Sequence, residues 1–164
     1  MYALEQVSVS DLKRADLFAG LPDQCLESLA RVCSLRHYDA GQRCATQGRV
    51  IDEIGIINRG KASVEVRIEV PPYTQALNTC TLTTGNVFTW SALIEPRVPT
   101  ASVRCVEAVQ AIFISAAHMQ ALFAERPTIE RIVMRNLLKI MDTRLAEMRR
   151  QLARLVAELI KREN

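Results

Sequence analysis

The sequence predicts an α+β fold that is mainly β: an antiparallel jelly-roll β-barrel flanked by N-terminal helices and followed by one long C-terminal helix. Three observations carry this. Between about residues 34 and 114 apolar residues recur with a period of two, and glycines at 41, 48, 60 and 85 punctuate the short runs. On either side of that stretch the apolar period is helical. From Thr128 to Arg162 neither glycine nor proline interrupts the chain.

Length and composition fit this scheme. A chain of 164 residues with 49% hydrophobic and 24% charged side chains can form one domain with a sizeable core. We divide it into a jelly roll with its flanking helices over residues 10–127 and a long helix, a dimerisation coil, over residues 128–162.

Several function classes are excluded on physical grounds. No apolar run approaches the roughly 18 residues a membrane span needs. The start, MYALEQVSVSDLKRADLF, lacks the basic and apolar blocks of a secretory signal, so a cytoplasmic location is expected. A net charge of +3, with no helix-turn-helix after the coil, predicts no nucleic-acid partner. The five cysteines (25, 33, 44, 80 and 105) form no C-x-x-C pair and sit where small hydrophobes fit. They are expected as reduced, buried thiols. His37 and His118 fall on different elements, so neither a metal nor a cofactor is expected. No nucleophile–base setting is recognisable, and the chain is predicted to be a non-enzyme.

Taken in order, a first helix runs from Asp11 to Phe18, capped by Ser10 and stopped by Gly20. A second starts near Pro22 and buries Leu26, Leu29, Ala30 and Cys33. The clearest strand is 61–70, with Ala62, Val64, Val66, Ile68 and Val70 on the buried face. Pro71-Pro72-Tyr73 then opens a loop. Further strands are expected over 35–39, 42–46, 53–58, 77–83, 101–106 and 109–114. After Ser115 a short helix marked by Met119, Leu122 and Phe123 stops near Pro127.

In the tail, Leu138, Leu145, Leu152 and Leu159 hold one heptad position, while Met134, Met141, Met148 and Leu155 hold the other. Such a seam predicts a homodimeric coiled coil through Leu138, Met141, Leu145, Met148, Leu152, Leu155 and Leu159. The alternative is a helix lying back on its own barrel. A parallel pairing would oppose Arg144 to Arg149, so the orientation of the pair stays open.

Specific segments carry a resemblance. LFAGLP, the turn glycines 41 and 48, IGIINRGKASVEV with Gly60, and GNVFTWSALIEPRVPTASVRC together resemble the cyclic-nucleotide-binding domain family. That family includes the sensor halves of cyclic-AMP receptor transcription factors and the regulatory subunits of cyclic-AMP-dependent kinase. The last segment resembles the family's phosphate-binding cassette. There, a short helix turns backbone N–H groups toward the cyclic phosphate, and an arginine pairs with a phosphate oxygen. A glutamate accepts from the ribose 2′-hydroxyl.

The family cassette begins F-G-E and ends R-x-A. Phe88 and Ala101 match it, but Thr89, Trp90 and Pro99 occupy the glycine, glutamate and arginine positions. Tryptophan offers no acceptor, and proline offers neither charge nor N–H. The resemblance therefore implies a regulatory, ligand-binding fold with a pocket around Gly85, Phe88, Thr89, Trp90, Ser91, Ala92, Leu93, Arg97, Pro99, Thr100, Ala101 and Ser102. Arg97 is the nearest replacement cation, whereas Arg104 should alternate away. The expected function is an interaction module that has lost the usual nucleotide binding, dimerises, and acts through an unidentified effector protein. The alternative is a small-molecule sensor that takes a cyclic nucleotide or another ligand in a modified pocket.

Overall fold

The computed structural model describes residues 6–163. Eight strands form two four-stranded antiparallel sheets. One has the order β1 (Ser34–Tyr38), β8 (Val109–Ser115), β3 (Glu53–Arg59), β6 (Val87–Phe88). The other runs β2 (Arg43–Ala45), β7 (Ser102–Cys105), β4 (Ala62–Val70), β5 (Tyr73–Leu82). The helices are α1 (Val9–Lys13), α2 (Asp23–Ala30), α3 (Ala116–Glu125) and α4 (Pro127–Glu163).

The first sheet is covered on both faces. Ile57, Phe88, Ala111 and Phe113 point into the space between the sheets with Ala62, Leu82 and Val103. Ile54, Ile56, Ile112 and Ile114 point the other way, against Leu12, Leu17, Phe18, Leu26, Met119 and Val133 of the helical layer. Two-sided burial explains why IGII and AIFI read as continuous apolar runs rather than alternating ones. Gly55 is required here, since a Cβ would strike the ring of Phe88. That ring packs edge-on against Phe113 at 5.7 Å.

The N-terminal helix differs from the expectation at both ends. Its cap is Ser8, not Ser10. The Ser8 hydroxyl accepts from the Asp11 N–H at 3.1 Å, and the Asp11 carboxylate accepts from the Ser8 N–H at 3.0 Å. The helix ends at Lys13 because the Asp16 N–H donates to the Gly85 carbonyl at 3.0 Å, a tertiary bond in place of a helical one. A separate 3-10 turn over Asp16–Phe18 follows.

Strand β4 corrects a second expectation. The face assigned from alternation meets the core only at the start, at Ala62 and Val64, because beyond Glu65 the strand pairs with β5 alone; the irregularity in that pairing is an extra residue of β5, Thr79. Ser63 and Glu65 are buried, while Ile68 and Val70 are exposed. Pro71-Pro72 is the whole turn, and β5 starts at Tyr73 where a loop was expected. The thiols are also less uniform than predicted: Cys25 and Cys105 are buried, but Cys33, Cys44 and Cys80 are half-buried, and all five are free.

Helix α4 begins on proline, which suits a first helical position. Ile129, Val133 and Leu137 are buried against the body. The Asn136 amide donates to the Leu17 and Ala19 carbonyls at 3.0 and 2.8 Å, tying α4 to the 3-10 turn. Farther along, the Gln151 amide donates to the Asn78 carbonyl of β5. The seam itself faces outward, with Leu138 at 67% and Leu152 at 62% exposure. Among the described residues no helix is long and apolar enough to cross a membrane.

Candidate functional site

The segment from Phe88 to Ser102 connects β6 to β7 and so spans from one sheet to the other. Thr89 starts it in the left-handed region, at φ 57° and ψ 29°. A β-branched residue is costly there, by about 1–2 kcal/mol. Its hydroxyl offsets this: it accepts from the Gly55 N–H at 2.9 Å and lies 2.9 Å from the Glu53 carbonyl as a donor. Threonine thus adopts a bend that a glycine would take freely, and ties it to β3.

A single 3-10 turn, Trp90–Leu93, comes next. Its residues meet two environments, and Trp90 touches both. Ala92 is fully buried in the helix-side core, with Leu93 packed against that core. Trp90 and Ser91 line a small cavity of about 80 Å³ with Phe88, Thr89, Pro99, Thr100 and Ala101. Val64 and Val103 supply the sheet wall, and Arg144 comes in from α4. Ordinary small-molecule pockets enclose roughly 300–1,000 Å³, several times this volume.

Several predicted pocket residues lie elsewhere. Gly85, at φ 89°, sits behind the sheet, where a Cβ would meet the Arg14 carbonyl. The Ser102 hydroxyl accepts from the Gln47 N–H at 2.9 Å and does not line the cavity. Arg97 does not line the cavity either. Its backbone is left-handed at φ 62°, its carbonyl accepts from the Ile51 N–H, and its guanidinium pairs with Glu95 at 2.9 Å. Arg104 points to the outer face, as strand alternation requires, 3.8 Å from Glu65.

The cation at the cavity is Arg144, which sequence reasoning did not assign to it. Its guanidinium donates to the Cys80 sulfur at 3.2 Å and to the Val87 carbonyl at 3.3 Å, with its central carbon 5.6 Å from the centre of the Trp90 ring. Neither acceptor carries a formal charge, and the indole face supplies about 0.5–2 kcal/mol of cation–π attraction. Burial pushes the Cys80 thiol above its usual range although Arg144 pulls it down, so the sulfur stays a neutral thiol. No window of sequence links residue 144 to residues 80 and 90. The only available signal was that Arg144 breaks the charge logic of a parallel coil.

No group of three or more His, Cys, Asp or Glu side chains among the described residues is arranged to hold a metal ion. The polar side chains lining the cavity are Thr89, whose hydroxyl is already bonded to β3, Ser91, Thr100, Trp90 through its indole N–H, and Arg144.

Residues 35–126, more than half the chain, match the cyclic nucleotide-binding domain family. The chain belongs to that family. Its fold is shared with several solved structures. A cyclic nucleotide-binding domain from Methylobacillus flagellatus KT aligns with TM-score 0.74 and 16% identity, over 88% of this chain and 80% of that one. The catabolite activator protein of Thermus thermophilus aligns with TM-score 0.67 and 22% identity, over 87% of this chain and 63% of that one. The regulatory domain of Toxoplasma gondii PKA, crystallised with cAMP, aligns with TM-score 0.67 and 16% identity, over 80% of this chain and 48% of that one. At these identities the likeness is one of fold.

Proposed function

We propose that this chain is a cytoplasmic, non-enzymatic regulatory module whose nucleotide pocket is closed from within, and which works through dimerisation and an effector protein. The carrying observation is the cavity itself. By the sequence resemblance Trp90 and Pro99 take the positions of the ribose acceptor and the phosphate cation; both line the cavity, and Arg144 lies over the indole, leaving about 80 Å³. The exposed heptad on α4 supports pairing of two copies. Because Arg144 turns toward the barrel, it is withdrawn from the seam where it would have met Arg149.

A direct test is calorimetric titration with cyclic AMP and cyclic GMP. Loss of one partner of a buried charge pair costs about 2–5 kcal/mol, or roughly 30-fold to several thousandfold in affinity. Binding is expected to be weak or undetectable. Submicromolar affinity for either nucleotide overturns the closed-pocket reading.

A second reading keeps the pocket as a sensor for another small molecule. It is favoured by the Arg144 guanidinium, whose two acceptors are uncharged and which a small anion would engage more strongly. Trp90 is the sole tryptophan, so its fluorescence reports occupancy directly. A saturable change with a small carboxylate, but not with nucleotides, supports this reading over the first.

A further inference from the structure

Strands β2 and β7 run antiparallel, with Arg43 facing Arg104 and Ala45 facing Val103. Cys44 is therefore the extra residue of a bulge. In an unbroken strand it would point opposite to its neighbour Ala45, into solvent. The bulge turns it inward instead: Arg43 is exposed, Cys44 half-buried and Ala45 buried. On β7, Cys105 is fixed by its backbone. Its N–H donates to the Gln42 carbonyl and its carbonyl accepts from the Gly41 N–H, both at 2.8 Å. These constraints leave the Cys44 and Cys105 sulfurs 3.2 Å apart, both as free thiols. Neither belongs to the cavity described above.

We infer that Cys44 and Cys105 constitute a two-thiol oxidation site, which a hydroperoxide converts to an intramolecular disulfide between β2 and β7. A disulfide needs about 2.05 Å between sulfurs, so closure asks for roughly 1 Å of travel, within the play of two side chains beside a bulge. Cys44 is the more accessible thiol and attacks first. Its thiolate displaces one peroxide oxygen as the O–O bond breaks. Hydrogen peroxide yields one water after protonation, and Cys44 becomes a sulfenic acid. The Cys105 sulfur then attacks that sulfur, the S–O bond breaks, and a second water leaves. Two thiols lose two electrons and two protons, and one peroxide becomes two waters. No further reductant or oxidant is needed.

Burial pushes the Cys44 thiol far above its ordinary range, and the adjacent Cys105 pushes it further the same way. Thiolate is scarce at neutral pH, so the site responds to sustained oxidant rather than to a brief pulse. Its position gives the reaction a structural consequence. Strand β7 leads directly out of the cassette, and Val103, two residues from Cys105, lines the cavity. Stapling β2 to β7 fixes that wall. This inference rests on neither pocket closure nor dimerisation, and its failure would leave both readings intact.

The test uses the folded, full-length protein exposed to hydrogen peroxide, blocked with N-ethylmaleimide, digested and mapped by mass spectrometry. The expected product is one cross-linked species joining the Cys44 and Cys105 peptides, lighter by two hydrogens and restored by dithiothreitol. Thiols titrated after denaturation should fall from five to three. Closing so long a loop should raise the melting midpoint by about 5–10 °C. A Cys105→Ser variant, verified as folded by circular dichroism, should instead carry Cys44 on to the sulfinic acid. Should that variant not fold, the wild-type peptide map alone decides. The inference is overturned if all five thiols still titrate after prolonged exposure. It also fails if Cys44 over-oxidises in the wild type without linking, or if the bonds formed join other cysteines or two chains.

Discussion

Along α4, the residues from Ile129 to Leu137 and those from Leu138 to Leu159 carry similar apolar side chains and meet opposite fates. In the first half Ile129, Val133 and Leu137, spaced four apart, are buried against the 3-10 turn and α3. In the second half Leu138, Leu145, Leu152 and Leu159, spaced seven apart, are 47–67% exposed. Composition does not separate the halves; the reach of the domain does. A helix of 37 residues extends about 55 Å, farther than a jelly roll of this size can cover. The proximal part is a fold element, whereas the distal leucines stay largely exposed although the helix still touches β5. Polar contacts follow the same division. Asn136 is buried and satisfies two carbonyls, whereas Gln151 is half-buried and makes one bond to the edge strand β5. Arg144 lies between them, at the point where α4 passes the cavity.

The largest effect should come from breaking the proximal half. Leu137→Ala removes a buried side chain and should destabilise the fold by about 2–5 kcal/mol, read as a lower urea midpoint with an unchanged slope. A loss below about 1 kcal/mol would mean that α4 is not part of the cooperative unit. On the distal half, Leu145→Asp with Leu152→Asp should leave the barrel's circular dichroism intact while abolishing self-association. Each leucine buried in a coil contributes about 1.5–3 kcal/mol, so the dimer should weaken at least a hundredfold. Light scattering reads the mass. A wild type that is monomeric at high micromolar concentration removes the premise.

Smaller effects sharpen the boundary between the halves. Arg144→Ala should cost about 1 kcal/mol, from a cation–π contact and two hydrogen bonds to uncharged acceptors. It should also shift the emission of Trp90, because the indole face becomes accessible. Unchanged emission would show that the guanidinium does not rest on that ring in solution. Gln151→Ala should be nearly silent, about 0.5 kcal/mol or less for one exposed bond. A clear fall in melting midpoint would place the distal half within the fold after all.

Much of the architecture was legible in the sequence because it depends on short windows. Period-two runs, the turn glycines and the uninterrupted tail each express a backbone preference within a few residues. Family membership was legible too, from segments that include the cassette with Phe88 and Ala101 as its fixed points. Elements too short or too irregular to show a period were missed. Strand β6 has two residues, and the far end of β4 leaves the barrel with β5 alone, so Ile68 and Val70 of the predicted buried face are exposed.

By itself, then, the sequence determined most of the strands, the helical flanks, the heptad seam and the residue types at the cassette positions. Only the tertiary structure decided which side chains meet. It placed Arg144 over Trp90, kept Arg97 out on Glu95, and brought Cys44 to Cys105 through a bulge. Periodicity is a property of neighbours along the chain, whereas these contacts depend on where an independent helix docks and on a single extra residue in one strand. Displacing that helix by one turn or deleting that residue would barely alter the pattern of the sequence, yet it would undo each contact.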